Sequence, residues 1–472
     1  MPTLRRFAVT FALLFCAGAA QAAEAGAPYL DGKSLGLVWM LPFAAILAGI
    51  ALGPLLMPHA WHAHYGKYAG ACAVAFLVPC AAVFGFETAL YEFVHTMLIE
   101  YVPFIVLLLA LYVVAGGVLV KGVLIGTPAA NTAMLACGTA IASVRGTTGA
   151  CMLLIQPMLR ANAWRRQNAH VFVFFIFLVG NIGGALTPLG DPPLFIGFLE
   201  GVDFFWVTTR MFLPMLVLAI PLLVAFWLLD SHYFAKEDPP PAGLLAEREP
   251  FGIEGKRNFV LLLAIVAAVL LSGVWKAGWD IEIFHTKVAG ESVLRSAALA
   301  AIALLSLAIT RDESRRLNGF TWGPIAEVAK LFVGIFVTIV PAIAIIRAGQ
   351  DGALGGLIGL LNVDGQPANA TYFWVTGILS AFLDNAPTYL LFFNLAGGDP
   401  QELMGPLATT LLAISCGAVF MGALSYIGNA PNFMVKAIAE EKGVRMPSFF
   451  GYLGWSCLFL LPPLALLTVL FF

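Results

Sequence analysis

Gly184-Ala185-Leu186-Thr187-Pro188-Leu189-Gly190-Asp191-Pro192-Pro193-Leu194-Phe195 is answered 238 residues later by Gly422-Ala423-Leu424-Ser425-Tyr426-Ile427-Gly428-Asn429-Ala430-Pro431-Asn432-Phe433, with identity or a close exchange at most positions. Each copy interrupts a long apolar run, 171–198 in one case and 407–438 in the other. Proline removes a backbone donor and stops a helix, while Gly190 and Gly428 are expected to permit tight backbone at positive φ. A second kind of interruption precedes each copy. Ser143-Val144-Arg145-Gly146-Thr147-Thr148-Gly149 breaks the apolar stretch 124–159, and Asp384-Asn385-Ala386-Pro387-Thr388 breaks 373–395. Nearly the same offset lays the latter over Arg145-Gly146-Thr147-Thr148-Gly149. The order hairpin, then broken helix, therefore occurs twice.

The surrounding composition fixes the medium. Of 472 residues 60% are hydrophobic and 11% charged, where a soluble chain carries roughly a quarter charged. Apolar runs at 35–57, 67–86, 103–120, 204–229, 259–275, 293–310, 328–346 and 449–472 are each long enough to cross a hydrocarbon core of about 30 Å as a helix. Non-helical backbone inside that core survives only where protein or a water-filled cavity satisfies it. The two hairpins are thus expected to enter the bilayer and turn back. The expected fold is an all-α polytopic membrane protein of two repeats, each with a re-entrant helical hairpin and an interrupted transmembrane helix. The lipid bilayer is its medium, and a net charge of -2 gives no reason to expect a nucleic-acid partner.

Arg5 and Arg6 before an apolar stretch that ends in Ala20-Gln21-Ala22 read as a signal peptide over 1–22, which leaves the mature amino terminus outside. Residues 23–230 then form a first half and 258–472 a second. Between them 231–257, with Pro239-Pro240-Pro241 and charges of both signs, is a cytoplasmic linker. Lysine and arginine collect in cytoplasmic loops. Lys121, Arg160, Arg165, Arg166, Lys236, Arg257, Arg311, Arg315, Arg316, Lys436, Lys442 and Arg445 fall on one side, and Glu200, Asp203, Asp364, Asp399 and Glu402 on the other. On this assignment the hairpins enter from opposite faces, so the halves are upside down relative to each other. Inverted repeats with paired interrupted helices mark a secondary transporter whose site lies where the interruptions meet.

Asp191, Asp384, Asn385, Asn429, Asn432, Thr147, Thr148, Thr187, Thr388 and Ser425 supply side-chain oxygens at the breaks, joined by carbonyls freed around Gly190 and Gly428. Hard oxygen donors of this kind suit sodium, which is expected at Asp191, Asp384, Asn385 and Asn429. Arg145, Asp191 and Asp384 are the charges deepest in apolar sequence. A charge at the centre of a membrane helix costs roughly 2.5 to 3.5 kcal/mol on insertion scales, so each needs a partner or a use. Arg145 either pairs with one of the acids or presents a planar fork to a substrate carboxylate. Burial favours the neutral form of a carboxylate, which suits reversible protonation. Glu327, Lys330, Arg210, Arg295 and Arg347 lie near span ends and are expected to reach the interface.

Other features read as structural. The six cysteines after Cys16 lie in apolar runs without C-x-x-C spacing, and His59, His62 and His64 read as a solvated loop after the first span. Neither H-E-x-x-H nor a G-x-S-x-G elbow with a placed histidine is present, so the chain is not expected to be an enzyme.

The runs N-I-G-G-A-L-T-P-L-G-D-P-P from Asn181, S-A-F-L-D-N-A-P-T from Ser380 and G-A-L-S-Y-I-G-N-A-P-N from Gly422 resemble the paired hairpin and broken-helix motifs of the ion transporter superfamily. That superfamily includes citrate and dicarboxylate carriers, arsenite permeases and NhaD-type sodium/proton antiporters. The resemblance covers nearly all of the mature chain. It implies a dimer of the inner membrane in which a transport part moves against a fixed scaffold, with hairpin tips at 145–148 and 384–388 and broken helices at 187–191 and 425–429. One departure is Ser143-Val144-Arg145-Gly146, where an acidic residue or asparagine is expected before the threonines. Because deep acids outnumber the deep base, sodium/proton antiport leads, with Asp191 and Asp384 binding sodium and protons in turn. The alternative is cation-coupled uptake of citrate or another di- or tricarboxylate, held by Arg145 and the Thr and Asn side chains. Sodium ions and protons are coupling ions in either case, and no cofactor is expected.

Overall fold

The computed structural model describes residues 28–122, 125–240, 252–363 and 366–472. The expected signal segment, Leu124 at the start of the first hairpin, Asp364 and residues 241–251 of the linker lie outside them. Among the described residues eight helices are long and apolar enough to cross a bilayer, nine if one bent pair counts as a span. Only three short antiparallel ribbons accompany them. The chain is an all-α polytopic membrane protein.

Helices α1 (Leu41–Leu56) and α2 (Pro58–Phe84) open the described fold, and the histidines expected in a loop at 59, 62 and 64 lie in the first turns of α2. Next, α3 (Phe86–His95) runs through a π-helical turn, Thr96–Tyr101, into α4 (Val102–Gly116), making one continuous span. The sequence places the start of this span at Pro103. Glu92, His95 and Glu100 disguise its first half, yet Glu92 is buried and accepts Leu30 N at 2.8 Å. Pro103 offers no N–H to the ladder, and the chain absorbs the defect just before it, where Val102 N bonds Met97 O.

The first hairpin is α5 (Pro128–Arg145) and α6 (Thr147–Asn162). The first broken helix is α7 (Ala169–Leu178), a 3-10 turn at Ile182–Leu186 and α8 (Pro192–Leu199), followed by the long α9 (Phe204–Phe234). Helices α10 (Arg257–Val274), α11 (Gly290–Ile309), α12 (Asp312–Leu317), α13 (Gly323–Arg347) and α14 (Gly355–Leu360) lead to the second hairpin, α15 (Asn369–Leu383) and α16 (Asn385–Leu395). After α17 (Pro400–Met404), the second broken helix is α18 (Ala408–Met421), a 3-10 turn at Gly422–Leu424 and α19 (Ala430–Glu441). The chain ends in α20 (Phe449–Phe459) and α21 (Leu461–Phe471), bent by 43° ahead of Pro462-Pro463. The stretch Ala169–Leu186 is 89% buried against 28% for Leu37–Pro54, so the broken helix lies at the centre and the first span at the rim. Helix α2 packs on α13, while α4 packs on α10, α11 and the hairpin arm α6.

Both hairpins turn on one residue of the same unusual conformation, Gly146 (φ 77, ψ 147) and Asp384 (φ 76, ψ 139). These two positions are 238 apart, the offset of the broken-helix motifs. The hairpin register is therefore one residue different from the alignment read in the sequence, with Gly146 opposite Asp384 and Thr147 opposite Asn385. Side-chain type favoured the wrong alignment, whereas backbone conformation sets the true one.

Asp230 lies one residue past the apolar run 204–229. The helix continues through it, and Asp230 is wholly buried within α9. Its Oδ1 meets Arg165 Nη2 at 2.6 Å and His170 Nε2 at 2.7 Å, and its Oδ2 accepts Asn131 Nδ2 at 2.9 Å. Asn131 and Asn162 exchange amide hydrogen bonds at 2.9 Å. This knot fastens both arms of the first hairpin to α7 and α9. Past α9, Gly252–Glu254 pairs with Leu119–Lys121, so the linker's far end is tied back to the first half. Arg295, expected at the interface, is buried with its guanidinium 5.9 Å from the Phe198 ring.

Two stability predictions arise here. Asp230→Ala leaves Arg165 buried without a counter-charge and should cost about 3–5 kcal/mol, read as a lower unfolding midpoint in detergent, whereas Asp230→Asn should lose less. At the hairpin turns, Gly146→Ala should cost about 1–3 kcal/mol, because glycine adopts the turn conformation without the strain that a side chain brings. Asp384→Gly should leave the midpoint unchanged or raise it, and a large loss there would show that the two turns are not equivalent.

Candidate functional site

Asp191 is the residue on which all four interruptions meet. It is 1% exposed and stands in extended backbone at the entrance to α8. Its Oδ1 accepts Thr147 Oγ1 (3.0 Å) from the start of α6 and Asn429 Nδ2 (3.1 Å) from the entrance to α19, and its Oδ2 accepts Asn385 Nδ2 (2.6 Å) from the start of α16. One carboxylate thus touches the tips of both hairpins and the other broken helix. The helices α6, α8, α16 and α19 all begin at these residues. Each N-terminus carries roughly half a positive charge in unpaired amides, which favours an anionic side chain beside it. Among the described residues no Lys, Arg or His forms an ion pair with Asp191.

Backbone groups released by the breaks find partners close by. Thr147 N bonds Gly190 O at 2.8 Å. Thr187 Oγ1 donates to Ser143 O and accepts Leu189 N at 3.1 Å, and Ser425 Oγ likewise donates to Ala381 O and accepts Ile427 N at 3.1 Å. The same contacts thus recur at the 238-residue spacing. Gly190 and Gly428 do not adopt positive φ as expected from the sequence. Close approach is what requires them. A Cβ on Gly190 would lie 2.0 Å from Gly184 O, and one on Gly428 2.5 Å from Gly422 O.

Of the four residues expected to hold sodium, Asn385 and Asn429 are both in contact with Asp191. Asp384 is not bonded to Asp191. Its carboxylate caps its own helix through Ala386 N at 3.4 Å, and its carbonyl accepts Thr388 Oγ1 at 2.8 Å. Thr148 is half-buried and is not among the donors to Asp191. The Asn432 amide N–H groups are spent within the second break, donating to Gly422 O (2.9 Å) and Ser425 O (2.8 Å). Arg145, 2% exposed, pairs with neither acid. Its Nη2 donates to Ala115 O at 3.0 Å, its guanidinium lies 5.5 Å from the Phe259 ring, and Nε and Nη1 are buried without a partner. Of the two roles expected for Arg145, pairing with an acid is not what the structure shows, because the fork is turned toward the end of α4.

Asn181 belongs to the site and was passed over in the sequence. It is wholly buried, donates to Asn432 Oδ1 at 2.7 Å and accepts Asn429 Nδ2 at 3.3 Å, so it joins the two broken helices. The available signal was an asparagine ending the apolar run of α7. Ser143 likewise holds the first break, donating to Gly183 O at 2.6 Å and accepting Leu186 N at 2.9 Å. Asn385 Oδ1 is buried without a partner beside the Asp191 carboxylate. A carboxylate with a bare amide oxygen next to it is a donor set for a hard cation.

Comparison with known proteins bears on this arrangement. The chain is 24% identical over 335 residues to an uncharacterized transporter of Mycobacterium bovis and to one of Mycobacterium tuberculosis, covering 69% of this chain and 73% of each relative. It is also 24% identical over 305 residues to a 46 kDa membrane protein of Mycobacterium leprae, covering 64% of this chain and 67% of that protein. A family model described as "Putative citrate transport" matches residues 32–472. That span takes in both hairpins, both broken helices and the helices around them, so the chain belongs to this family and is a multi-pass membrane transporter.

Proposed function

We propose that the chain is a secondary active transporter of the inner membrane that takes its coupling cation at Asp191 and exchanges sodium for protons by alternating access. The observation that carries this reading is a buried carboxylate held by three neutral donors with no basic partner. A carboxylate so placed is stable either when protonated or when a cation sits on it, and the two states exclude each other. The bare Asn385 Oδ1 favours a metal cation as the alternative occupant. In this reading the two halves are inverted and the mature amino terminus faces outward. The chain acts as a permease, not an enzyme, and works as a homodimer.

The second reading is cation-coupled uptake of citrate or a related di- or tricarboxylate. The family description favours it, and so do the two unpartnered guanidinium nitrogens of Arg145. In that case Asp191 still holds the coupling cation and Arg145 contributes to the anion site.

Everted vesicles loaded with a pH-reporting dye and challenged with sodium, lithium, potassium and then citrate separate the two. Sodium should dissipate the proton gradient in wild type. Asp191→Asn should abolish the response, while Asp384→Asn, which preserves a helix cap, should slow it without abolishing it. A sodium pulse that moves no protons, together with accumulation of labelled citrate, would replace antiport with carboxylate uptake. Full exchange by Asp191→Asn would remove the coupling site from this residue.

A further inference from the structure

Away from Asp191, a cavity of about 920 Å³ opens between the far end of α6, the start of α7 and the segment after α19. Its lining includes Arg160, Arg165, Arg166, Lys442 and Arg445, with His170, and contains no aspartate or glutamate. The walls are built, not incidental. Arg165 and His170 are fixed by the buried Asp230, and Arg160 Nη2 rests on Val120 O at 2.9 Å. Arg166 is neutralised at 2.5 Å by Asp238. Lys442 and Arg445 are different: both are exposed, and neither has a side-chain hydrogen bond or ion pair among the described residues. The nearby Glu440 is taken up by Lys436 at 2.8 Å. The cavity therefore presents two uncommitted cations over a floor of ordered ones. Its volume is in the range that takes small-molecule ligands.

Its position is also informative. Helix α6 runs from Thr147, on Asp191, to Gln156 at the cavity wall, about 14 Å at 1.5 Å per residue. Helix α19 starts beside Asn429 and runs about 17 Å to the same cavity. The two helices pack side by side, so the elements that grip Asp191 at one end frame the cavity at the other.

We propose that this cavity binds a polyanion, a small molecule or headgroup with two or more closely spaced carboxylate or phosphate groups, through Lys442 and Arg445. Basic loops alone explain positive charge on one face, but not a concave volume lined by several cations with no acid in its walls. Bidentate and multiply charged ligands gain most from such a fixed array. The inference does not depend on whether the cargo is a cation or a carboxylate, because the site is distant from Asp191.

The test is calorimetric titration of the full-length protein with citrate, pyrophosphate and acetate, first in a neutral detergent and then in nanodiscs of zwitterionic or anionic lipid. Citrate and pyrophosphate should bind saturably and acetate should not. Lys442→Gln with Arg445→Gln should weaken binding about ten-fold or more, and Asp191→Asn should leave it intact, which separates this site from any cargo site at the centre. If anionic nanodiscs abolish the titration and retain their lipid through purification in wild type but not in the double variant, the polyanion is a lipid headgroup. If titration survives in anionic nanodiscs, it is a free solute. Absence of saturable binding in neutral detergent and in zwitterionic nanodiscs, with no retained anionic lipid, overturns the proposal. Equal binding by the double variant does so as well.

Discussion

A carboxylate shared by four chain breaks is the contact on which the interior depends. Helices satisfy their own amides and carbonyls, but a break inside hydrocarbon does not, and each orphaned group costs several kcal/mol there. The chain answers by placing the breaks against one another. Thr147 N takes Gly190 O, Thr187 and Ser425 bridge hairpin to broken helix, and Asn432 covers Gly422 O and Ser425 O. Asp191 collects the remaining donors from three separate elements. None of these segments could keep its conformation alone in lipid, so the polar centre and the fold around it stand or fall together.

The deep arginines follow from a different end effect. Helix α4 stops at Gly116 inside the protein, leaving its last carbonyls without intrahelical donors. Arg315 donates to Val113 O (2.7 Å), Arg145 to Ala115 O (3.0 Å), Asn318 to Gly116 O (3.3 Å) and Val118 O (3.1 Å), and Asn258 to Gly117 O (3.0 Å). Two of these donors carry charge, which suits the negative end of the helix dipole, and Arg145 and Arg315 also lie over the rings of Phe259 and Phe320. A buried guanidinium is thus accommodated without an acid. Arg145 and Thr147 flank the turn at Gly146, so the first hairpin tip is held on one side by the surrounding α4 and on the other by Asp191.

Much of this was legible because hydrocarbon punishes irregularity. A proline, glycine or aspartate within a long apolar run has few innocent explanations, and the positions of both hairpins and both broken helices were plain from such residues. Relations set by backbone conformation were less legible. The one-residue hairpin register was missed because Asp384 and Gly146 share a turn conformation but no chemistry. Glycine's tolerance of positive φ was assigned to Gly190 and Gly428, where the real demand is the approach of another carbonyl. The start of the third span was hidden by Glu92 and Glu100, since a polar residue facing inward looks the same in sequence as one in a loop. Asn181 was overlooked for the opposite reason, because its partners lie some 250 positions away.

The residues that differ between equivalent positions say as much as those that agree. Asp191 stands opposite Asn429 at the 238-residue spacing, and the two side chains touch. Two aspartates there would set like charges against each other with no counter-ion nearby, and one would have to remain protonated. With asparagine on one side, the pair becomes donor and acceptor, and one carboxylate is left between these two positions. The hairpin tips diverge in the same sense, with Thr147 opposite Asn385, each donating to a different oxygen of that carboxylate. Asp384 stands opposite Gly146 in a conformation that costs a residue with a side chain about 1–3 kcal/mol, offset in part by the cap it gives its own helix. A framework of matching breaks therefore carries an asymmetric charge, with one carboxylate set among three neutral donors that occupy the corresponding positions.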